Sequence, residues 1–157
     1  MNQNIESKYI IEIEVLEGGC LPTKANIDDS GFDVRATSDI IIYPGQVMKH
    51  PLNFRMKMAG DNYASVESKS GLGSKGLLVY AGVIDAGYRG IVHAVFSNIK
   101  LVNADGTRNE EPLVIRKGEK LAQFIPFPFS TKYQIVQVAK IENDSTRGSA
   151  GFGSSGR

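Results

Sequence analysis

The sequence predicts an all-β fold, a sandwich or jelly roll with antiparallel pairing. Short runs rich in Val, Ile, Phe and Tyr recur along the chain, turn dipeptides separate them, and helical periodicity is nearly absent. With 157 residues the chain fits one domain whose core needs no disulfide or metal staple.

Tyr9 to Leu16, rich in Ile and Val, is the first expected strand, and Gly18, Gly19 and Pro22 end it. Phe32 to Ala36 and Ile40 to Tyr43 follow as short strands, the second closed by the turn dipeptide Pro44-Gly45. Leu52, Phe54, Met56 and Met58 alternate with Asn53, Arg55 and Lys57, the clearest half-buried strand in the chain, and Ala59 to Asn62 turns it. Tyr63 to Val66 leads into Ser68 to Gly76, which is too rich in Gly and Ser for a long strand and can host at most a helical turn. Asn103 to Glu111 is a polar loop, expected to be a plain solvated connection. Leu113 to Arg116, Leu121 to Phe129 and Tyr133 to Ile141 complete the expected strands.

Between the apolar runs Leu77 to Ile84 and Ile91 to Phe96 lies the tip Gly82-Val83-Ile84-Asp85-Ala86-Gly87-Tyr88-Arg89-Gly90. It reads as a β-hairpin carrying one carboxylate and one ring where glycines let a ligand approach the main chain. A purely structural turn, with Asp85 bonding its own backbone, fits these nine residues equally well.

Charge and composition exclude several classes. With 18 basic against 17 acidic residues the net charge is +1, without the positive field that grips long nucleic acid. Cys20 is the only cysteine, so neither an intrachain disulfide nor a cysteine zinc site can form. No apolar run approaches the roughly 18 residues that span a bilayer, and the N-terminus lacks a basic or apolar leader pattern, so a soluble cytoplasmic protein is expected. His50 and His93, far apart in sequence, are expected to be structural. A division into a β domain, 1–143, and a C-terminal arm, 144–157, follows from the shift to Gly, Ser and Arg around Phe152. Composition alone calls this arm a flexible linker, but Arg147 and Phe152 also suit a nucleotide clamp of cation, aromatic face and exposed amides.

Five stretches, in order and spread over nearly the whole chain, resemble the five motifs of the trimeric dUTP pyrophosphatases (dUTPases). They are Asp29-Ser30-Gly31-Phe32-Asp33-Val34-Arg35-Ala36, Ser68-Lys69-Ser70-Gly71-Leu72, the hairpin tip 82–90, Gly118-Glu119-Lys120-Leu121-Ala122-Gln123-Phe124-Ile125, and Arg147 to Gly156. The resemblance implies a distorted jelly-roll barrel that works as a homotrimer with exchanged C-terminal arms, each active site being assembled from three chains. It implies hydrolysis of dUTP to dUMP and pyrophosphate with Mg2+; from the charge and the apolar runs, binding to neither nucleic acid nor membrane is expected. Asp85 would activate the water that attacks the α-phosphorus. Tyr88 would lie against the deoxyribose and fill the space of a ribose 2′-hydroxyl. Backbone groups of Ala81, Gly82 and Val83 would pair with the uracil edge. Lys69, Ser70, Gly71, Gln123 and Arg147 would bind phosphate, with Gly153, Ser154 and Ser155 at its γ end, and Phe152 would cover the base. Asp33 would meet the metal through water, since Mg2+ keeps several waters and is held mainly by phosphates.

Motif two usually reads Pro-Arg-Ser-Gly, whereas Ser68-Lys69 stand in its first two places here; Lys69 keeps the charge and loses the bidentate fork. Two alternatives stay open. A dCTP deaminase of the same fold resembles the chain through Ile84-Asp85 but needs a glutamate just beyond the tip, where Ala94 and Val95 stand. A trimeric binding protein would use the 103–111 loop on a regulatory partner.

Overall fold

A computed structural model describes residues 9–129 and 133–140. Among these residues the alternating segment around Phe54 behaves as its pattern demands: Leu52, Phe54, Met56 and Met58 are buried in the core, and Arg55 and Lys57 face out. The strands in chain order are β1 (Glu12–Val15), β2 (Phe32–Arg35), β3 (Ile40–Ile42), β4 (Val47–Pro51), β5 (Phe54–Lys57) and β6 (Asn62–Glu67). One helical turn, α1 (Ser70–Gly73), is followed by β7 (Leu77–Tyr80), β8 (Val83–Asp85), β9 (His93–Asn98), β10 (Leu113–Ile115) and β11 (Lys120–Pro128).

These make four small antiparallel sheets: β1-β5, β10-β3, the four-stranded β2-β11-β6-β8 and the three-stranded β4-β9-β7. Their inner faces close on one core in which the ring of Phe124 meets Phe32 and Phe54 edge to face, at centroid distances of 6.3 and 6.4 Å. The expected hairpin forms, with β7 and β9 as its paired arms, Tyr80 opposite Val95. Past Tyr80 the chain leaves that sheet, and β8 joins the four-stranded sheet against β6. The tip thus bridges the two largest sheets.

Three expectations need correction. β4 has no counterpart in the sequence reading: its inward residue is His50, a buried polar group where a pattern search looks for an aliphatic one. The ring is satisfied by the Thr37 backbone N–H, which donates to Nε2 at 3.0 Å. Second, no strand forms across 133–140; Ile135 is 103% exposed and has no neighbouring strand among the described residues, while Ile141 lies outside them. Third, the 103–111 loop is more than a solvated connection. Val102 bridges Arg108, the Asp105 carboxylate accepts from Thr107 N and Oγ1 at 3.0 and 2.6 Å, and buried Asn109 donates to the Lys100 carbonyl at 2.9 Å. No helix among the described residues is long and apolar enough to cross a membrane.

Candidate active site

Directly opposed residues of an antiparallel pair share a face, and so do residues two apart on a strand. In the four-stranded sheet Asp33 stands opposite Gln123 and Gln123 opposite Glu67; farther along β6, Tyr63 stands opposite Asp85. Asp33, Gln123, Ser65, Val83 and Asp85 therefore share the outer face, while Val34, Phe124, Val66 and Ile84 fill the core behind them.

At the hairpin tip the backbone is tightly determined. Tyr88 N donates to the Asp85 carbonyl at 3.0 Å, and Arg89 Nη1 donates to the carbonyls of Ala86 and Tyr88 at 2.6 and 2.9 Å. The Tyr88 ring folds back over Gly90 and its hydroxyl donates to the Ile91 carbonyl at 3.0 Å; a Cβ on Gly90 would collide with that ring. Gly82 is required for a different reason: a Cβ there would strike the Val66 carbonyl, whose own amide donates to the Gly82 carbonyl at 2.8 Å. Ala81 holds φ at +48°, in the left-handed region that L residues rarely adopt. Because β8 is an edge strand, its outward backbone groups have no strand partner among the described residues.

These groups line a cavity of about 230 Å³ bounded by Lys49, Ala81, Val83, Asp85, Tyr88 and His93. Lys49 and His93 were missed as site residues. They reach it because β4 and β9 pair with His93 opposite Pro51 and Val95 opposite Lys49, putting both on the outer face of the three-stranded sheet. His93 Nδ1 lies 2.8 Å from the Ile91 carbonyl that Tyr88 also uses. A larger cavity, about 620 Å³, lies beneath Tyr43, Leu101 and Arg108 to Glu110 and carries none of the expected site residues.

The expected phosphate residues gather elsewhere. Gln123 Nε2 donates to the Ser68 carbonyl at 3.0 Å, Ser70 and Gly71 are exposed on α1, and Lys69 pairs with Asp33. None of them lines the Asp85 cavity. Asp33, only 7% exposed, has one carboxylate oxygen on Lys69 Nζ and the other on Lys120 Nζ at 2.6 Å. Burial by itself would raise this carboxyl; hydrogen bonds from Lys120 and Lys69, with their charges, outweigh it and hold the group below the ordinary carboxylate value. That donor set does not fit Mg2+, which two ammonium groups would repel. Among the described residues no group of three or more His, Cys, Asp or Glu is placed to hold a metal. The deaminase alternative also lacks its acid: beyond the tip Ala94 is buried in the core and Val95, which lines the cavity, is apolar. Arg147, Phe152, Gly153, Ser154 and Ser155, with the whole 144–157 arm, lie outside the described residues.

A dUTPase family model matches residues 19–156, the arm included. The Pol polyprotein of ovine maedi visna related virus (strain South Africa) is 36% identical over 99% of this chain, which spans only 13% of that polyprotein. The deoxyuridine 5'-triphosphate nucleotidohydrolase of Clostridium tetani (strain Massachusetts / E88) is 34% identical, over 96% of this chain and 99% of its own length. Of solved structures, the Staphylococcus bacteriophage 80alpha dUTPase G164S mutant with dUpNHpp matches with a TM-score of 0.78 at 25% identity, covering 95% of this chain and 99% of that one. Fold, motif order and a relative of equal length agree, and the chain belongs to the dUTPase family.

Proposed function

We propose that the chain hydrolyses dUTP to dUMP and pyrophosphate in a site shared between copies of itself. The observation that carries this reading is the cavity at the hairpin tip, where an exposed carboxylate, an aromatic ring and a strand edge unpaired among the described residues converge. Its volume, about 230 Å³, falls below the roughly 300–1,000 Å³ of ordinary ligand pockets. It suits a nucleoside and leaves the triphosphate to other residues.

Uracil pairs with the free backbone edge around Ala81 and Val83, since the Gly82 carbonyl is already held by Val66. Cytosine reverses donor and acceptor at that edge, and each unpaired buried group costs about 1–3 kcal/mol. The Tyr88 ring stacks on the deoxyribose and excludes a 2′-hydroxyl. Asp85 orients a water and takes its proton as the oxygen bonds to the α-phosphorus; the bond to the bridging oxygen breaks and pyrophosphate leaves. The family generally uses Mg2+. Among the described residues no group of three or more His, Cys, Asp or Glu side chains is placed to hold that ion.

Asp85 and the Gln123-Ser70-Lys69 group serve different substrate ends and do not meet within one chain, which supports a homotrimer whose sites lie between subunits. The exposed apolar residues Tyr133, Ile135, Val136 and Val138 support the same reading, as a segment awaiting a neighbour. The 144–157 arm then closes over the nucleotide, with Arg147 on phosphate and Phe152 on the base. Subunit mixing tests this. Asp85→Asn and Gln123→Ala chains, each inactive alone, recover about a quarter of wild-type activity after co-refolding at equal amounts, because random assembly leaves that share of sites intact. Absence of any recovery contradicts a shared site.

A further inference from the structure

Position 120 lies three residues before Gln123, so an unbroken β11 would turn the two side chains to opposite faces of the sheet. The strand is broken there. Its register against β2 shifts between Lys120 and Ala122, so that Lys120 opposes Arg35 while Gln123 opposes Asp33, and Leu121 and Ala122 are both buried. Arg35 and Asp33 are two apart on β2. The bulge at Leu121 therefore brings Lys120 onto the outer face with Asp33 and Gln123, the re-aiming that bulges supply beside functional sites.

Lys120 lands on the Asp33 carboxylate, and Lys69 arrives from the loop after β6 onto its other oxygen. The three groups carry a net positive charge at the edge of the Gln123-Ser68 contact. Arg35 cannot supply this charge, since its guanidinium is turned to the Gly118 carbonyl at 2.8 Å. A lysine ammonium on its flexible stem is poorly ordered alone; a shared, buried carboxylate fixes two of them before any ligand arrives.

We propose that Lys120 is a second phosphate-binding cation beside Lys69, and that Asp33 is the bracket that aligns both and not a metal ligand. This deepens the dUTP pyrophosphatase reading and rests on it for the substrate. The ligand class is a pyrophosphate-containing anion.

Binding of inorganic pyrophosphate and of deoxyuridine to the full chain, measured calorimetrically, tests the proposal without turnover. Lys120→Met weakens pyrophosphate about tenfold, the loss of one charge-assisted contact, and leaves deoxyuridine binding unchanged. Lys120→Arg restores pyrophosphate binding, and Lys120→Gln repeats the loss should the Met variant fail to fold. In the dUTP assay Lys120→Met raises KM with kcat little changed. Asp33→Asn weakens pyrophosphate likewise and leaves the Mg2+ concentration for half-maximal activity where it was. Wild-type pyrophosphate affinity in both Lys120→Met and Lys120→Gln overturns the cation role. A Mg2+ requirement raised tenfold in Asp33→Asn, with pyrophosphate affinity intact, overturns the bracket. A wild-type chain that binds pyrophosphate through Lys120 but releases none from dUTP would sink the activity reading alone.

Discussion

Asp85 and Gln123 stand on the same face of one sheet but four residues of register apart, with β6 between their strands: Asp85 opposes Tyr63, and Gln123 opposes Glu67. Four residues of strand are about 13 Å, longer than one side chain bridges. Under the proposed function these are the base-reading and phosphate-binding ends of the site, held apart within each chain by that span, and copies of the chain set side by side would complete it.

Asp85→Asn keeps shape and loses basicity. Turnover of dUTP is expected to fall by about 10²–10⁴-fold, the usual contribution of a positioned general base, while a non-hydrolysable dUTP analogue binds within a few-fold of wild type. Steady-state kinetics beside calorimetry check both halves, and unchanged turnover removes Asp85 from the mechanism.

Gly90→Ala places a methyl where the Tyr88 ring lies. The ring end can swing away, so the melting temperature should stay within about 2–4 °C, under 1 kcal/mol for a chain of this size. With Tyr88 in its proposed role the displaced ring leaves the sugar unguarded, and preference for dUTP over UTP is expected to drop about tenfold. Retained discrimination would assign the exclusion of ribose to another group.

Removal of residues 144–157 is expected to leave the described strands unaltered by circular dichroism and to lower turnover at least about tenfold, as loss of a positioning lid does. Full activity in the shortened chain makes the arm a linker.

Acid stability follows from His50. Burial, then the nearby charge of His93, lowers its affinity for a proton below the ordinary value of about 6.5. Above that value folded and unfolded chains both carry it neutral; below, the unfolded chain takes up a proton the folded site resists, so stability declines as pH falls. The Asp33 carboxyl, held low by its lysines, adds a second loss only below about 4. Thermal melts from pH 8 to 5 should show a falling melting temperature in wild type and a flatter profile in His50→Gln. Identical profiles would place the titration elsewhere.

How far these features were legible varies with their physical origin. The strand through Phe54 was plain because one face is wholly apolar and the other polar. The tip was legible as a candidate place for chemistry, since glycine, carboxylate and ring are adjacent in sequence, and its residues do line a cavity. β4 was hidden because its buried residue is a histidine satisfied by Thr37, which carries no hydrophobic signal. The segment from Tyr133 shows the opposite failure: strand propensity is present, but a strand needs a partner, and the described residues of one chain offer none. The Asp33-Lys69-Lys120 cluster depends on a bulge and on residues far apart in sequence, so neither periodicity nor spacing announces it.

The most direct test of a dUTP-specific pyrophosphatase centred on Asp85 is pyrophosphate release from dUTP, dTTP, dCTP and UTP in parallel with Mg2+, with ammonia followed in the dCTP arm. The account predicts rapid release from dUTP and rates lower by about 10² or more from the other three. Ammonia from dCTP, or equal release from dUTP and dCTP, would contradict it.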